Sequence, residues 1–211
     1  QQGDLLHIAF DSGLSRSVEN AFAAAEELKE EFPERKIYVV DSTCGCVGYG
    51  LFVDTLADMR DSLNTVDELY EWAMENRKNV HHYFFSTTLK YFRKSGRIST
   101  PSALIGELLK ICPLMRVNNE GKIVAYSKAI CIGKAINKTM QEVKQRIYGG
   151  GDYGDRIWIA HSNCADNAES MKNALRESFP YADIKLWDIG PVIGSHCGPG
   201  TVSLYFWGNE R

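Results

Sequence analysis

The chain has 211 residues, with 24 basic and 27 acidic side chains and a formal net charge of −3; apolar residues make up 44% and charged residues 24%. That is the mix of a globular protein rather than a disordered one, and the length suits one large domain or two small ones. No stretch approaches the roughly 18 uncharged apolar residues of a transmembrane helix. The near-neutral charge gives no electrostatic reason to expect nucleic acid or an anionic membrane as a partner.

The elements follow in chain order. Leu5 to Phe10 is an apolar run that predicts a strand, closed by the polar loop Asp11-Ser12-Gly13-Leu14-Ser15. Val18, Ala21, Phe22, Ala25 and Leu28 then recur at helical spacing up to Pro33, and Lys36 to Asp41 is a second strand. Strand, helix and strand with short connections imply a right-handed crossover, a parallel sheet and an α/β fold class. A second polar loop, Asp41 to Gly45, leads into a helix ending near Met59. Thr65-Val66-Asp67-Glu68 reads as a capping box opening a helix to about Arg77, before a strand around His82 to Phe85. The basic, turn-rich stretch Arg93 to Pro101 predicts a hinge.

Beyond the hinge a smaller α/β unit is expected. Thr100 and Pro101 suit the start of a helix carrying Leu104, Ile105, Leu108, Leu109 and Ile111. Leu114 to Val117 and Lys122 to Tyr126, joined by Asn118-Asn119-Glu120-Gly121, read as a hairpin. Then come a helix over 133–147, a strand over 157–160, a helix over 167–179 and a strand over 184–187. The chain closes with the loop 194–200 and a strand over 202–207.

Six cysteines (Cys44, Cys46, Cys112, Cys131, Cys164 and Cys197) are too sparse for a disulfide scaffold and are expected as reduced thiols of a cytoplasmic protein. Cys44-Gly45-Cys46 lacks the two-residue spacer of a zinc knuckle and His161 and Cys164 form an isolated pair, so no metal site is expected. Ser12 and Ser15 stand where a strand hands over to a helix, a place whose free amides and dipole suit an anion; Ser15 as a helix cap is the plainer alternative. In an open sheet, ligands bind beyond the strands' carboxyl ends, where these residues fall. Gly194-Ser195-His196-Cys197-Gly198-Pro199-Gly200 is a loop in which backbone can approach a ligand and His196 can donate to a carboxylate; Arg97 at the hinge is either a clamp or a surface charge. A serine hydrolase using Ser12 and His196 is the alternative, but the nucleophile-elbow glycines are replaced by Phe10 and Leu14. Neither a Walker loop nor a dinucleotide fingerprint is present.

Four of these segments resemble, in order and spacing, motifs of the DegV family of bacterial fatty-acid-binding proteins, the fatty-acid-binding subunits of fatty acid kinase. Asp11-Ser12-Gly13-Leu14-Ser15 is similar to the family's Ser-Ser-Gly-Leu-Ser-Gly loop, and Val40-Asp41-Ser42 with Gly48-Tyr49-Gly50 to its second loop. Leu89 to Ser99 resembles its leucine-to-Gly-Gly-Arg-Ile hinge, and Ile193 to Gly200 its Gly-x-His-Thr-Gly-Pro-Gly loop. The resemblance implies a two-domain fold: residues 1–96 as the remainder of an N-terminal parallel-sheet domain and 97–211 as a smaller C-terminal α/β domain. It implies a long-chain fatty acid between them, with Ser12, Gly13, Ser15, His196 and Gly198 at the carboxylate and Arg97 nearby. No catalysis, metal or other cofactor is implied; the partner is a separate kinase subunit. Family members carry a further N-terminal segment, so this chain is expected to be a fragment, its open sheet edge covered by the missing piece or by self-association. Ile130 stands where members often have arginine, and Cys112 where lysine usually precedes Pro113.

Overall fold

The computed structural model describes residues 3–60, 62, 65–99 and 111–211. Strands β1 (Leu5–Ala9) and β2 (Ile37–Asp41) pair in parallel, from Leu5 opposite Ile37 to Ala9 opposite Asp41. Helix α1 (Ser17–Glu31) is the crossover between them. Its Val18 and Ala25, two turns apart and so on one face, join Ala9, Ile37 and Val39 in a small apolar cluster. Helix α2 (Cys46–Arg60) buries Leu51, Phe52 and Leu56 in the main core. Helix α3 (Val66–Asn76) opens with the expected capping box: the Thr65 hydroxyl accepts from the Glu68 amide at 3.3 Å, and the Glu68 carboxylate accepts from the Thr65 amide at 3.1 Å.

Seven strands form the second sheet: β3 (Val80–Ser86), β4 (Ile98–Ser99), β5 (Cys112–Val117), β6 (Ile123–Ala129), β7 (Arg156–Ser162), β8 (Asp183–Asp188) and β9 (Thr201–Trp207). Their spatial order is β4-β6-β5-β3-β9-β7-β8. β3 runs antiparallel to β5 and β9, and β9 antiparallel to β7, while β4–β6 and β7–β8 are parallel. The parallel pairing expected from the first forty residues is formed by β1 and β2, whereas the second sheet mixes parallel and antiparallel pairs. Every residue of β3 and β9 is buried, and a central strand covered on both faces has the same apolar pattern in either direction.

The sheets also part earlier than residue 96: β3 lies at the centre of the second sheet, so the chain leaves the first between β2 and β3. The expected hinge holds a short helix, α4 (Lys90–Ser95), ended by Gly96 at φ +69. The helix expected after Thr100 lies outside the described residues. The β5–β6 hairpin turns as expected, with Asn118 Oδ1 accepting from the amides of Glu120 and Lys122 at 3.1 and 2.9 Å. Helices α5 (Ile132–Arg146) and α6 (Ala165–Ser178) pack on the sheet. The loop expected over 194–200 is instead largely helix: α7 runs Pro191–Cys197, started by proline at its first position and stopped by Gly198 at φ +71.

Two substitutions of different kinds test this packing. Phe85, wholly buried in the central strand β3, is expected to cost about 3–5 kcal/mol on replacement by alanine. Thr65→Ala removes a cap only and is expected to cost about 1 kcal/mol. Urea unfolding midpoints of the two variants measure the difference, and equal losses would contradict it.

Candidate functional site

A cavity of about 350 Å³ lies where the loop after β1 meets the second sheet, a size within the range of small-ligand sites. Phe10 and Leu14 come from the first sheet's side; Phe84, Phe92, Val117, Ile123 and Ile193 come from β3, α4, the hairpin and α7. Most of this second wall is an apolar cluster of its own, with Phe84 and Phe92 stacked at 5.7 Å.

The polar groups in the wall fall into two sets. His82, Thr201 and Ser203 are committed to the protein. His82 Nδ1–H donates to the Val80 carbonyl at 2.9 Å while Nε2 accepts from the Gly45 amide at 3.1 Å. The Thr201 hydroxyl donates to Ser86 Oγ at 3.0 Å, and that of Ser203 to the Ala160 carbonyl at 3.1 Å. The second set has capacity to spare. Ser15 Oγ contacts Ser17 Oγ at 3.2 Å, and both residues line the cavity. Arg97 bonds the Ser95 carbonyl with one guanidinium nitrogen. The His196 imidazole, in the last turn of α7, has no hydrogen-bond partner among the described residues.

Of the residues singled out in the sequence, Ser15, Arg97 and His196 thus share the cavity wall, whereas Ser12, Gly13 and Gly198 are not part of it. The loop amides expected to receive an anion are already used. The Ser12 amide donates to Asp41 Oδ1 at 3.1 Å and the Gly13 amide to Asp11 Oδ1 at 2.8 Å. The amides of Leu14 and Ser15 both donate to the Asp11 carbonyl, at 3.1 and 3.0 Å. The residue at the N-cap position of α1 is Arg16, but the Ser15 hydroxyl accepts from the amide of Ser17, the first residue of the helix, at 3.3 Å. Gly198 is explained by packing: its amide donates to the Gly194 carbonyl at 2.8 Å, and a β-carbon there would strike the Tyr91 ring. Ser12 and His196 make no hydrogen bond with each other, and only His196 lines the cavity, so a hydrolase dyad is not assembled. His82, Phe84 and Phe92 were missed because they read only as strand and turn residues; a histidine pair inside a wholly apolar strand was the available signal.

Burial sets the protonation of three groups around this site. Asp11 is fully buried, which pushes its carboxyl up to about 7; Asp41 adds to the rise, and the Gly13 amide and Arg211 oppose it. Burial holds His82 neutral well below the usual imidazole range, with Arg211 adding to the effect. His81 falls to about 4 for the same first reason.

A family model described as "Uncharacterised protein, DegV family" matches residues 1–208. The chain belongs to the DegV family. A DegV domain-containing protein of Clostridium perfringens is 38% identical over 207 residues, covering 98% of this chain and 70% of the relative. The crystal structure of a fatty acid binding DegV family protein from Streptococcus agalactiae matches with a TM-score of 0.80 at 27% identity, covering 97% of this chain and 71% of that one. The Streptococcus pneumoniae Fatty Acid Kinase (Fak) B3 protein, loaded with linoleic acid, matches with a TM-score of 0.85 at 23% identity, over 97% and 71% of the two chains. The DegV fold is therefore shared along this whole chain. No helix among the described residues is long and apolar enough to cross a membrane.

The buried groups give this DegV chain a defined acid response. The histidines, His81 lowered to about 4 and His82 held well below 6.5, contribute stability that is full above about pH 6.5 and is lost as pH falls below it. Asp11 has the opposite sign: the folded state keeps a proton that the unfolded chain has released, so its contribution falls as pH rises from 3.8 to about 7. Across pH 5 to 6.5 the two histidines outweigh the one carboxyl. Asp11→Asn should therefore steepen the rise of stability with pH by about 1.4 kcal/mol per pH unit. Urea midpoints at pH 5, 6 and 6.5 measure the slope, and equal slopes for native and variant protein would contradict it.

Proposed function

We propose that this chain holds a long-chain fatty acid in the cavity between its two sheets and presents the carboxylate to a separate kinase subunit. The observation that carries the reading is the division of the wall. Most of it is apolar, and the polar groups left uncommitted are Ser15 with Ser17, Arg97 and His196. An acyl tail against Phe84, Phe92 and Ile193 with its head at those groups satisfies both parts. Within this reading Ser15 takes the role that the motif alone gave to Ser12, because Ser12 lies outside the wall and its amide is held by Asp41. Solved relatives described as fatty acid binding, or as loaded with a fatty acid, support the ligand class. The kinase partner rests on the name of the Fak B3 protein.

Magnitudes favour the tail as the source of affinity. Burying sixteen carbons is worth on the order of 12 kcal/mol at about 0.8 per methylene, before association and ordering costs. A charge-assisted hydrogen bond at the head adds roughly 1.5–3 kcal/mol. Organic extraction of the purified protein, followed by mass spectrometry, is expected to release a long-chain fatty acid. Arg97→Ala and His196→Ala are each expected to weaken fatty acid binding about tenfold to a hundredfold, while leaving a fatty alcohol of equal length nearly unaffected. Protein that neither carries nor takes up fatty acid would overturn the reading. Native affinity in both variants would overturn the head assignment.

A further inference from the structure

Asp11 does more than hold its own loop. Its amide donates to the Cys44 carbonyl at 3.2 Å, its carbonyl receives the Leu14 and Ser15 amides, and its Oδ1 receives the Gly13 amide. The second oxygen, Oδ2, is buried and has no hydrogen-bond partner among the described residues. Against this carboxyl sits the Asn118–Lys122 turn of the other sheet. Gly121, at φ +75, packs so closely that a β-carbon there would strike Asp11 Oδ1. Gly13 is pressed in return: a β-carbon on it would lie 2.6 Å from the Gly121 carbonyl oxygen and 2.9 Å from that of Glu120. Both partners of the contact border the cavity, through Leu14 and Ser15 on one side and Val117 and Ile123 on the other. The contact therefore straps the two walls together.

We propose that this contact is a proton-operated strap, with Asp11 as the positioning residue that seats the turn when neutral and releases it when ionised. The physical reason is the orphaned oxygen. A buried carboxylate with one oxygen left without a donor is disfavoured, and lifting the turn lets water reach Oδ2. The neighbouring charges do not remove this penalty. Asp41 repels the carboxylate, and Arg211 attracts it. Arg211 Nη2 donates to Thr43 and the Arg77 carbonyl and its Nε to the Lys78 carbonyl, while its buried Nη1 bonds neither Asp11 nor any other described residue. Arg77 donates to the Asp41 carbonyl at 2.8 Å. On the turn itself Glu120 and Lys122 pair with one another at 2.8 Å. The Cys44 thiol, pushed up to about 12 by burial, stays neutral.

The consequence for ligand exchange rests on the fatty acid reading; the movement of the strap does not. Two measurements separate them. In ligand-free protein, hydrogen exchange at the amides of residues 13–15 and 121, corrected for the intrinsic pH dependence, is expected to show about tenfold lower protection at pH 8 than at pH 6. Dissociation of a fluorescent long-chain fatty acid, and of a fatty alcohol that cannot ionise, is expected to quicken about tenfold over the same range. That factor is the rise in ionised fraction of a group with a pKa of about 7. Asp11→Asn, or Asp11→Ser if the asparagine variant folds poorly, should abolish both pH steps. Gly121→Ala should leave the strap open, with fast exchange at either pH. Protection that is flat with pH in native protein, or a step that survives in the Asp11 variants, would overturn the strap. A pH step in protection without any fatty acid binding would overturn the ligand reading and leave the strap standing.

Discussion

The antiparallel register of β3 against β9 is the constraint on which the site depends. His82 pairs with Tyr205, Phe84 with Ser203 and Ser86 with Thr201. Because side chains alternate along a strand, His82 and Phe84 fall on one face with Thr201, Ser203 and Tyr205, and all five line the cavity. Tyr83, Phe85, Leu204 and Phe206 take the opposite face and fill the main core. A slip of one residue would exchange the two sets and place the large core rings where the cavity lies. At the open end of this pair the chain departs into α4 from β3 and arrives from α7 into β9, and those two short helices pack on each other. Phe92 and His196 reach the cavity from them.

Polar groups around the cavity are distributed so that few remain for a ligand. Small hydroxyls on β9 are spent on neighbouring strands, and His82 is fixed as a neutral ring between two backbone groups. In the loop after β1, which by position should offer amides to an anion, the Ser12 and Gly13 amides are taken by the carboxylates of Asp41, at the end of β2, and Asp11, and those of Leu14 and Ser15 by the Asp11 carbonyl. An internal carboxylate thus occupies the kind of site a ligand carboxylate would use. The polar side chains of the wall left uncommitted are those of Ser15, Ser17, Arg97 and His196.

Local features were legible in the sequence wherever one short segment carries its own physics. The Thr65–Glu68 box, the Asn118–Gly121 turn and the β1–α1–β2 unit are all formed as their residues dictate. Strand direction in the second sheet was not legible, because β3 and β9 are buried on both faces and show no alternation to read. The α7 segment was misread as loop because its glycines and prolines mask a helix that Pro191 starts and Gly198 ends. At Gly198, which the motif places at the carboxylate, the ring of Tyr91, distant in sequence, leaves no room for a β-carbon. His196, Arg97 and Ser15 were found as single residues, yet only the fold shows that they share one wall with Phe84 and Phe92.

A crystal structure of the protein saturated with a long-chain fatty acid would locate the ligand. An acyl chain is expected along the face formed by His82, Phe84, Ser203 and Tyr205, with its carboxylate at Ser15, Arg97 and His196. An acyl chain bound elsewhere, with this face unchanged and no ligand against Phe84 and Phe92, would contradict this placement.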